Sequence, residues 1–294
     1  MKLGVTGLLP GAAAEVDAAA VRRVAAMGFI GTALNVGDPL GEISTEWARE
    51  IGRICAGEGV EVVEYGQFQT TFVAPDETIR SATLATVREA CRVARAVGCP
   101  AVIVGIGSHN PADEWFPHPE NYSQATRERL IGALSEAARI AEGEGVVLAL
   151  ECHVTTSLRN AATAREVLDA VGSPVLKVHL DPVNWMTFET VYDNGPAIAV
   201  MFATLGAGRI SGAHSKGVRV ENELIVHLNE THTGADDDLI DHASVLRGLA
   251  GLPGEPFLVI EHLTVDQMPG ARLHLLEIAG QLGLSFAGGS GGRV

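Results

Sequence analysis

Cysteine and long apolar runs are scarce in this sequence of 294 residues, and each shortage excludes a class of protein. The four cysteines are spaced neither as a zinc-binding pair nor as a disulfide framework, so we expect reduced thiols in a cytoplasmic protein. No uncharged apolar run approaches the length of a transmembrane helix, which needs about 18 residues. The amino terminus has one Lys and an apolar run broken by Gly and Pro, which makes a poor signal peptide.

Basic side chains are also few, with 21 Lys and Arg against 36 Asp and Glu and a formal net charge of −15. A nucleic-acid binder or a protein of anionic membrane surfaces needs a basic face, so we expect neither partner. A small anionic substrate remains compatible with this charge, because it needs only one local Arg or Lys. The apolar fraction of 47% excludes wholesale disorder.

What the sequence does contain is a regular alternation of short β-rich apolar runs and longer helical stretches. The predicted strands are 2–6, 31–36, 59–65, 101–106, 146–150, 176–180, 210–214 and 257–260. The predicted helices are 16–27, 45–56, 76–97, 123–141, 161–171, 196–205, 238–249 and 265–282. Eight units with no linker, and no GxGxxG after the first strand, favour a (β/α)8 TIM barrel over an open doubly wound sheet. We predict one barrel domain over 1–286 and a flexible Gly-rich tail over 287–294.

The segment between predicted strand seven and the next helix is longer than a simple connection. Long loops inside compact domains are usually functional or carry their own structure, and residues 223–228 are compatible with a short β-excursion. The segment follows the carboxyl end of a strand, where barrel active sites lie. We predict a lid or a subunit contact here, and a homo-oligomer, either a dimer or a tetramer.

The last four predicted strands each end at a side chain that can bind a metal. The residues are Glu151, Asp181, His214 and Glu261. In a barrel, these strand ends lie side by side around half of the mouth. Three unpaired carboxylates so close together would be costly without a cation. The set suits one divalent ion, Mn²⁺ before Mg²⁺, Co²⁺ or Zn²⁺.

Around these positions the sequence resembles the xylose isomerase-like TIM barrel superfamily, in its sugar phosphate isomerase/epimerase branch. The resemblance covers nearly the whole chain and rests on ECH at 151–153, LDPVNW at 180–185, AHSKG at 213–217, HTGADD at 232–237 and IEHL at 260–263. It implies a single divalent metal on those four residues and a small sugar or polyol substrate.

The chemistry expected of such a site is proton abstraction next to a metal-bound carbonyl or hydroxyl oxygen, through an enediolate. By resemblance to ketose epimerases, Glu151 and Glu261 are the catalytic proton-transfer pair, which predicts a sugar or polyol isomerase or epimerase.

One departure from the epimerase pattern leaves a second reaction open. Epimerases of this group usually carry a His three residues after the strand-six Asp, and this sequence has Asn184 there. His153 lies two residues after Glu151, on the same side of an extended strand. His153 is therefore either a base or a hydrogen-bond partner. As a base it would suit a metal-dependent lyase or dehydratase acting by β-elimination on an oxidised sugar, an inositol derivative or a glycoside.

Several polar and aromatic residues near the predicted strand ends are candidates for substrate binding. They are Asn35, Glu64, His179, Asn184, Trp185, Lys216 and Arg219. For Trp185 packing is an equal alternative, and Lys216 and Arg219 have solvated loop cations as their alternative.

Two other classes of protein are alternatives to an enzyme that acts on sugars. A DNA-repair endonuclease of the same superfamily would need more His and acidic ligands, for three zinc ions, and a DNA-binding surface. A non-enzymatic sugar-binding subunit would not need both Glu151 and Glu261.

Overall fold

The barrel predicted from the strand pattern is present in the computed structural model of the protein, which describes residues 1–39, 41–224 and 227–288. Eight parallel strands form the barrel: β1 Lys2–Val5, β2 Gly31–Leu34, β3 Glu61–Gln67, β4 Ala101–Gly105, β5 Val147–Glu151, β6 Leu176–Leu180, β7 Ile210–Ser215 and β10 Phe257–Ile260. They close into one sheet in the order β1-β10-β7-β6-β5-β4-β3-β2. Most of the predicted tail 287–294 lies outside the described residues.

An outer ring of helices follows the strands in turn. The helices are α1 Ala18–Ala26, α2 Thr45–Gly57, α3 Glu77–Val97, α4 Gln124–Glu144, α5 Ala161–Val171, α6 Asn194–Leu205, α7 His242–Ala250 and α8 Met268–Gln281. Capping residues set the ends of several of these helices. In α3 the Asp76 carboxylate accepts the Thr78 and Ile79 N–H groups, and Gly98 ends the helix at φ 86°. In the described part of the chain, no helix is long and apolar enough to cross a membrane.

Helix α7 begins at His242, whereas the pattern predicted a start at 238. The Asp238 carboxylate accepts backbone N–H groups of Gly234 and Ile240 at 3.0 Å, and its contact with His242 Nε2 is 2.7 Å. These bonds hold the chain in an irregular turn, because Asp favours local side-chain–backbone bonds over a helix interior. Asp241 then caps the helix by accepting the Ser244 N–H.

The long segment after β7 carries its own structure. Strands β8 Gly217–Glu221 and β9 His227–Thr231 form an antiparallel hairpin in which Val218 pairs with Glu230. The predicted β-excursion 223–228 therefore coincides with the hairpin tip, of which residues 225 and 226 lie outside the described part. The hairpin stands beside the mouth of the barrel, on the side where β7 and β10 end.

The barrel strands divide their side chains between an apolar outer layer and the interior. Val102, Val104, Leu148 and Leu150 belong to the large core between the sheet and the helices, whereas the buried Ala149 belongs to a small separate cluster. Because side chains alternate along a strand, the residue two positions after Ala149 shares its face. That residue is Glu151, so the strand delivers its carboxylate to the interior at the carboxyl end.

Candidate metal centre and active site

The four predicted metal ligands meet at the carboxyl end of the barrel. Glu151 is the last residue of β5, His214 lies in β7, and Asp181 and Glu261 directly follow β6 and β10. Each offers one ligand atom, and all four atoms lie within 4.8 Å of one another. All four side chains are buried. Four strands that are adjacent in the sheet thus place three carboxylates and one imidazole around one point.

The two nitrogens of His214 face different partners. Nδ1 lies 3.2 Å from Glu261 Oε2 and 3.7 Å from Glu151 Oε1, so it points into the ligand cluster. Nε2 lies 3.2 Å from Glu64 Oε1, on the opposite side of the ring. Burial lowers the pKa of His214, but the charges of Glu261, Glu64 and Glu151 outweigh burial and hold this pKa well above its usual value.

Lys216 reaches into the same cluster from the start of the hairpin. Its Nζ lies 2.9 Å from Asp181 Oδ2, 3.1 Å from Glu261 Oε1 and 2.8 Å from Glu230 Oε1. Burial lowers the pKa of Lys216, but the neighbouring carboxylates outweigh that effect and raise it well above its usual value. The ammonium group is therefore a charged member of the site.

The cluster still carries an excess of negative charge. Burial, together with the charges of Glu151 and Asp181, raises the pKa of Glu261 above its usual value, even though His214 and Lys216 act to lower it. Among the described residues, the buried atoms Asp181 Oδ2, His214 Nδ1 and Glu261 Oε1 make no well-formed hydrogen bond, and the two oxygens have only the ion pair with Lys216. Buried polar atoms are normally satisfied, so these three potential metal-binding atoms from three neighbouring strands fit a bound cation.

The remaining oxygens of two ligands are fixed by the protein. Asp181 Oδ1 accepts the Val183 N–H at 2.9 Å, so Oδ2 faces Lys216 and the ligand cluster. Glu151 Oε1 accepts a hydrogen bond from Asn184 Nδ2 at 2.9 Å. Carboxylates held in this way, with an imidazole, are a ligand set for Mn²⁺, Mg²⁺, Co²⁺ or Zn²⁺.

A pocket of about 390 Å³ opens above the cluster. Predicted residues that line it are Asn35, Glu64, Glu151, His153, Asn184, His214, Lys216 and Glu261. At the rim, Asn35 Nδ2 donates to Thr6 Oγ1 at 2.9 Å. His153 is held through Nδ1, which lies 2.7 Å from Thr155 Oγ1. Burial lowers the pKa of His153.

Three residues predicted to bind substrate lie outside this pocket. Trp185 packs in the core, where its indole N–H donates to the Leu158 carbonyl at 2.9 Å. Arg219 sits on the hairpin and pairs with Glu221 at 2.8 Å. His179 is buried one layer deeper in the barrel, beside Glu64, and burial lowers its pKa to about 4.

Two ionisable lining residues were missed by sequence reasoning, Glu230 and His262. Glu230 lies in the flagged long segment, but which of its acids faces the pocket depends on the hairpin register. His262 follows Glu261 directly, so strand alternation would turn it away from the site. Its backbone is instead left-handed, with φ 57°, and its Nδ1 lies 2.7 Å from Glu230 Oε2. This hydrogen bond raises the pKa of His262.

These features define a parallel (β/α)8 barrel with a cluster of three carboxylates and one imidazole, compatible with a divalent cation, at the carboxyl end of its strands. Residues 21–275 match the family model described as xylose isomerase-like TIM barrel, and the chain belongs to this family. No protein with a curated description matches the sequence significantly.

Solved structures of the same fold include two sugar epimerases. One is D-psicose 3-epimerase from Clostridium cellulolyticum H10 with D-tagatose, 16% identical, with a TM-score of 0.71 over 97% of this chain and 100% of that one. Another is 3-keto-D-glucoside 4-epimerase from E. coli, 16% identical, with a TM-score of 0.69 over 95% and 99%. A xylose isomerase-like TIM barrel protein from Mycobacterium smegmatis in complex with magnesium is 19% identical, with a TM-score of 0.67 over 90% and 88%.

Proposed function

We propose that the protein is a divalent-metal-dependent isomerase or epimerase of sugars or polyols. The observation that carries this proposal is that Glu151 and Glu261, from β5 and from the end of β10, both approach Nδ1 of His214 and line one pocket. His214 Nδ1 lies 3.7 Å from one carboxylate and 3.2 Å from the other. Two carboxylates that flank one point can remove a proton from one face of a carbon and return it to the other.

Asp181 and His214, with Glu151 and Glu261, would hold the metal ion. A bound divalent ion supplies Lewis-acid stabilisation of the negative charge that develops on a substrate oxygen when the neighbouring carbon loses its proton. The magnesium complex of a protein with this fold and the epimerase activity of two others support the proposal.

The other polar residues of the pocket would bind and orient the substrate. Asn184 keeps the Glu151 carboxylate in one orientation through the bond to Oε1. Lys216 places a positive charge beside Glu261 and Glu230, where it can hold a substrate hydroxyl or oxyanion. Asn35, which also lines the pocket, offers its amide to substrate hydroxyl groups that lie away from the ligand cluster.

A second candidate reaction is favoured by His153. The imidazole lines the same pocket as Glu151 and is held through Nδ1 by Thr155. An imidazole at this position can act as the base of a β-elimination, which would make the protein a metal-dependent lyase or dehydratase. The two reactions share their first step and differ in whether a leaving group departs.

Solvent isotope exchange separates these proposals. The protein with Mn²⁺ is incubated in deuterated water with a panel of ketoses, 3-keto-glycosides and inositol ketones. Deuterium incorporation without loss of water or aglycone supports the isomerase or epimerase, whereas release of a dehydrated product or a free aglycone supports the lyase. The Glu151→Gln and Glu261→Gln variants should lose the exchange. Exchange that survives in either variant would refute its role in proton transfer.

A further inference from the structure

Beneath the metal ligands lies a second buried layer of ionisable side chains that the proposed reaction does not use. Glu64, on β3, and His179, on β6, are buried in the barrel interior below His214. Glu64 Oε1 lies 3.2 Å from His214 Nε2, and Glu64 Oε2 lies 3.4 Å from His179 Nε2. Barrel interiors are usually filled with branched apolar side chains, so a carboxylate in this position needs a physical reason.

The reason lies in the two-sided geometry of the His214 ring. A neutral imidazole carries a hydrogen on one nitrogen and a lone pair on the other. With the hydrogen on Nε2, that nitrogen donates to the Glu64 carboxylate, and the lone pair of Nδ1 points at Glu151 and Glu261. In the opposite tautomer, the Nε2 lone pair would face the Glu64 carboxylate, and the hydrogen on Nδ1 would point into the ligand cluster.

His179 restrains the same ring from a second direction. Its ring centroid lies 4.3 Å from that of His214, at an interplanar angle of 57°. Its Nδ1 lies 3.4 Å from Ser211 Oγ, which in turn donates to the Val178 carbonyl at 3.2 Å. The His214 imidazole is therefore bounded by a carboxylate at its Nε2 and by a packed ring on one side.

We propose that Glu64 is a positioning residue of the metal centre, which holds His214 in the Nε2-protonated form and directs Nδ1 at the ion. His179 supports this arrangement by packing against the ring. The inference rests on the proposed function, because it presumes that His214 binds a metal. Carboxylates that accept the second N–H of a metal-binding His orient the ring and make it a stronger ligand.

Two other roles for Glu64 make different predictions. Glu64 lines the pocket, so it could bind substrate directly, in which case its loss would raise KM and leave metal binding unchanged. Glu64, His179 and His214 also form a second group whose ligand atoms lie within 4.8 Å of one another. A second ion there would need His214 to bind metals through both nitrogens, and it would double the stoichiometry.

The test is Mn²⁺ titration by calorimetry of the chelator-treated protein, with the Glu64→Gln variant. Glu61→Gln is the matched control, because Glu61 lies on the same strand with an exposed side chain that pairs with Lys2 at 2.7 Å. We expect Glu64→Gln to raise the Mn²⁺ Kd by about 10–100-fold at a stoichiometry of one. Glu61→Gln should bind as the unaltered protein does.

Thermal unfolding of the metal-free forms separates positioning from a merely structural role. Glu64→Gln breaks the buried pair between Glu64 and His214, so we expect the metal-free Tm to fall while the variant stays folded at the temperature of the titration. Unfolding of the metal-free variant at that temperature would make the weaker binding a structural effect and refute positioning, as would a Kd within about twofold of the unaltered protein or a stoichiometry that falls from two to one. If the unaltered protein binds no Mn²⁺, the proposed function fails instead.

Discussion

Replacing His262 by glycine and, separately, by alanine tests whether the pocket stores backbone strain. His262 has φ 57°. A left-handed conformation costs a residue with a Cβ about 1–2 kcal/mol, whereas glycine adopts it freely. Glycine loses about 0.5–1 kcal/mol more chain entropy on folding, which offsets part of that gain. We therefore expect the glycine variant to be more stable than the alanine variant by about 0.5–1 kcal/mol.

Both variants lose the same side-chain contact, the hydrogen bond of His262 to Glu230. The two side chains are 56% and 46% exposed, so this pair contributes only about 0.2–1 kcal/mol and cancels in the comparison. Urea unfolding of the metal-free variants measures the difference. Kinetics with the sugar that exchanges deuterium should show the same rise in KM for both, because both lack the imidazole. Alanine as stable as glycine would refute the strain, and unequal KM values would refute a role for the imidazole itself.

Two more substitutions test Glu230, on the hairpin, and Asp238, in the turn that precedes α7. Glu230→Gln removes a charge from beside Lys216, so we expect a several-fold rise in KM and an unchanged Mn²⁺ Kd; weaker Mn²⁺ binding would instead make Glu230 part of the metal centre. Burial raises the pKa of Asp238, but its bonds to His242 and to backbone N–H groups lower it further, to below its usual value. The charged form thus adds stability above the unfolded pKa of about 3.9, and this is lost as the pH falls through the folded pKa. Asp238→Asn should lower Tm at pH 7, and this loss should shrink as the pH falls below about 3.9; a loss of Tm that is independent of pH would contradict this.

The fold was predictable because the apolar runs and the helix-capping residues indicate the same strands and helices. Apolar strand runs, such as AVIVG at Ala101–Gly105, are buried throughout, and helix ends carry their capping residues, as at Asp76 and Gly98. Predicted ends agree with the structure to within three residues apart from the start of α7, where Asp238 holds a turn. A helical pattern does not reveal which carboxylate binds the backbone of its neighbours.

The convergence of the four candidate ligands was predictable from where the strands end, because adjacent parallel strands bring their carboxyl ends together. What lies around the cluster depends on contacts that no local pattern encodes. Lys216 was predicted to bind substrate, with a solvated loop cation as the alternative, and its ion pair with Asp181 arises only from the tertiary fold. The tertiary packing around Leu158 likewise buries Trp185. His262 escaped prediction because its left-handed backbone breaks the alternation on which the reasoning relied.

The most direct test of the account is the Mn²⁺ stoichiometry of the metal-free protein and of its Asp181→Ala variant, measured by calorimetry and by metal analysis after dialysis. Asp181 contributes to the cluster a buried oxygen, Oδ2, whose only partner in the described part of the chain is the Lys216 ammonium, while its other oxygen accepts the Val183 N–H. The account predicts one Mn²⁺ per chain in the unaltered protein and little or none in the variant. Absence of divalent-ion binding to the unaltered protein, or equal binding by the variant, would contradict it.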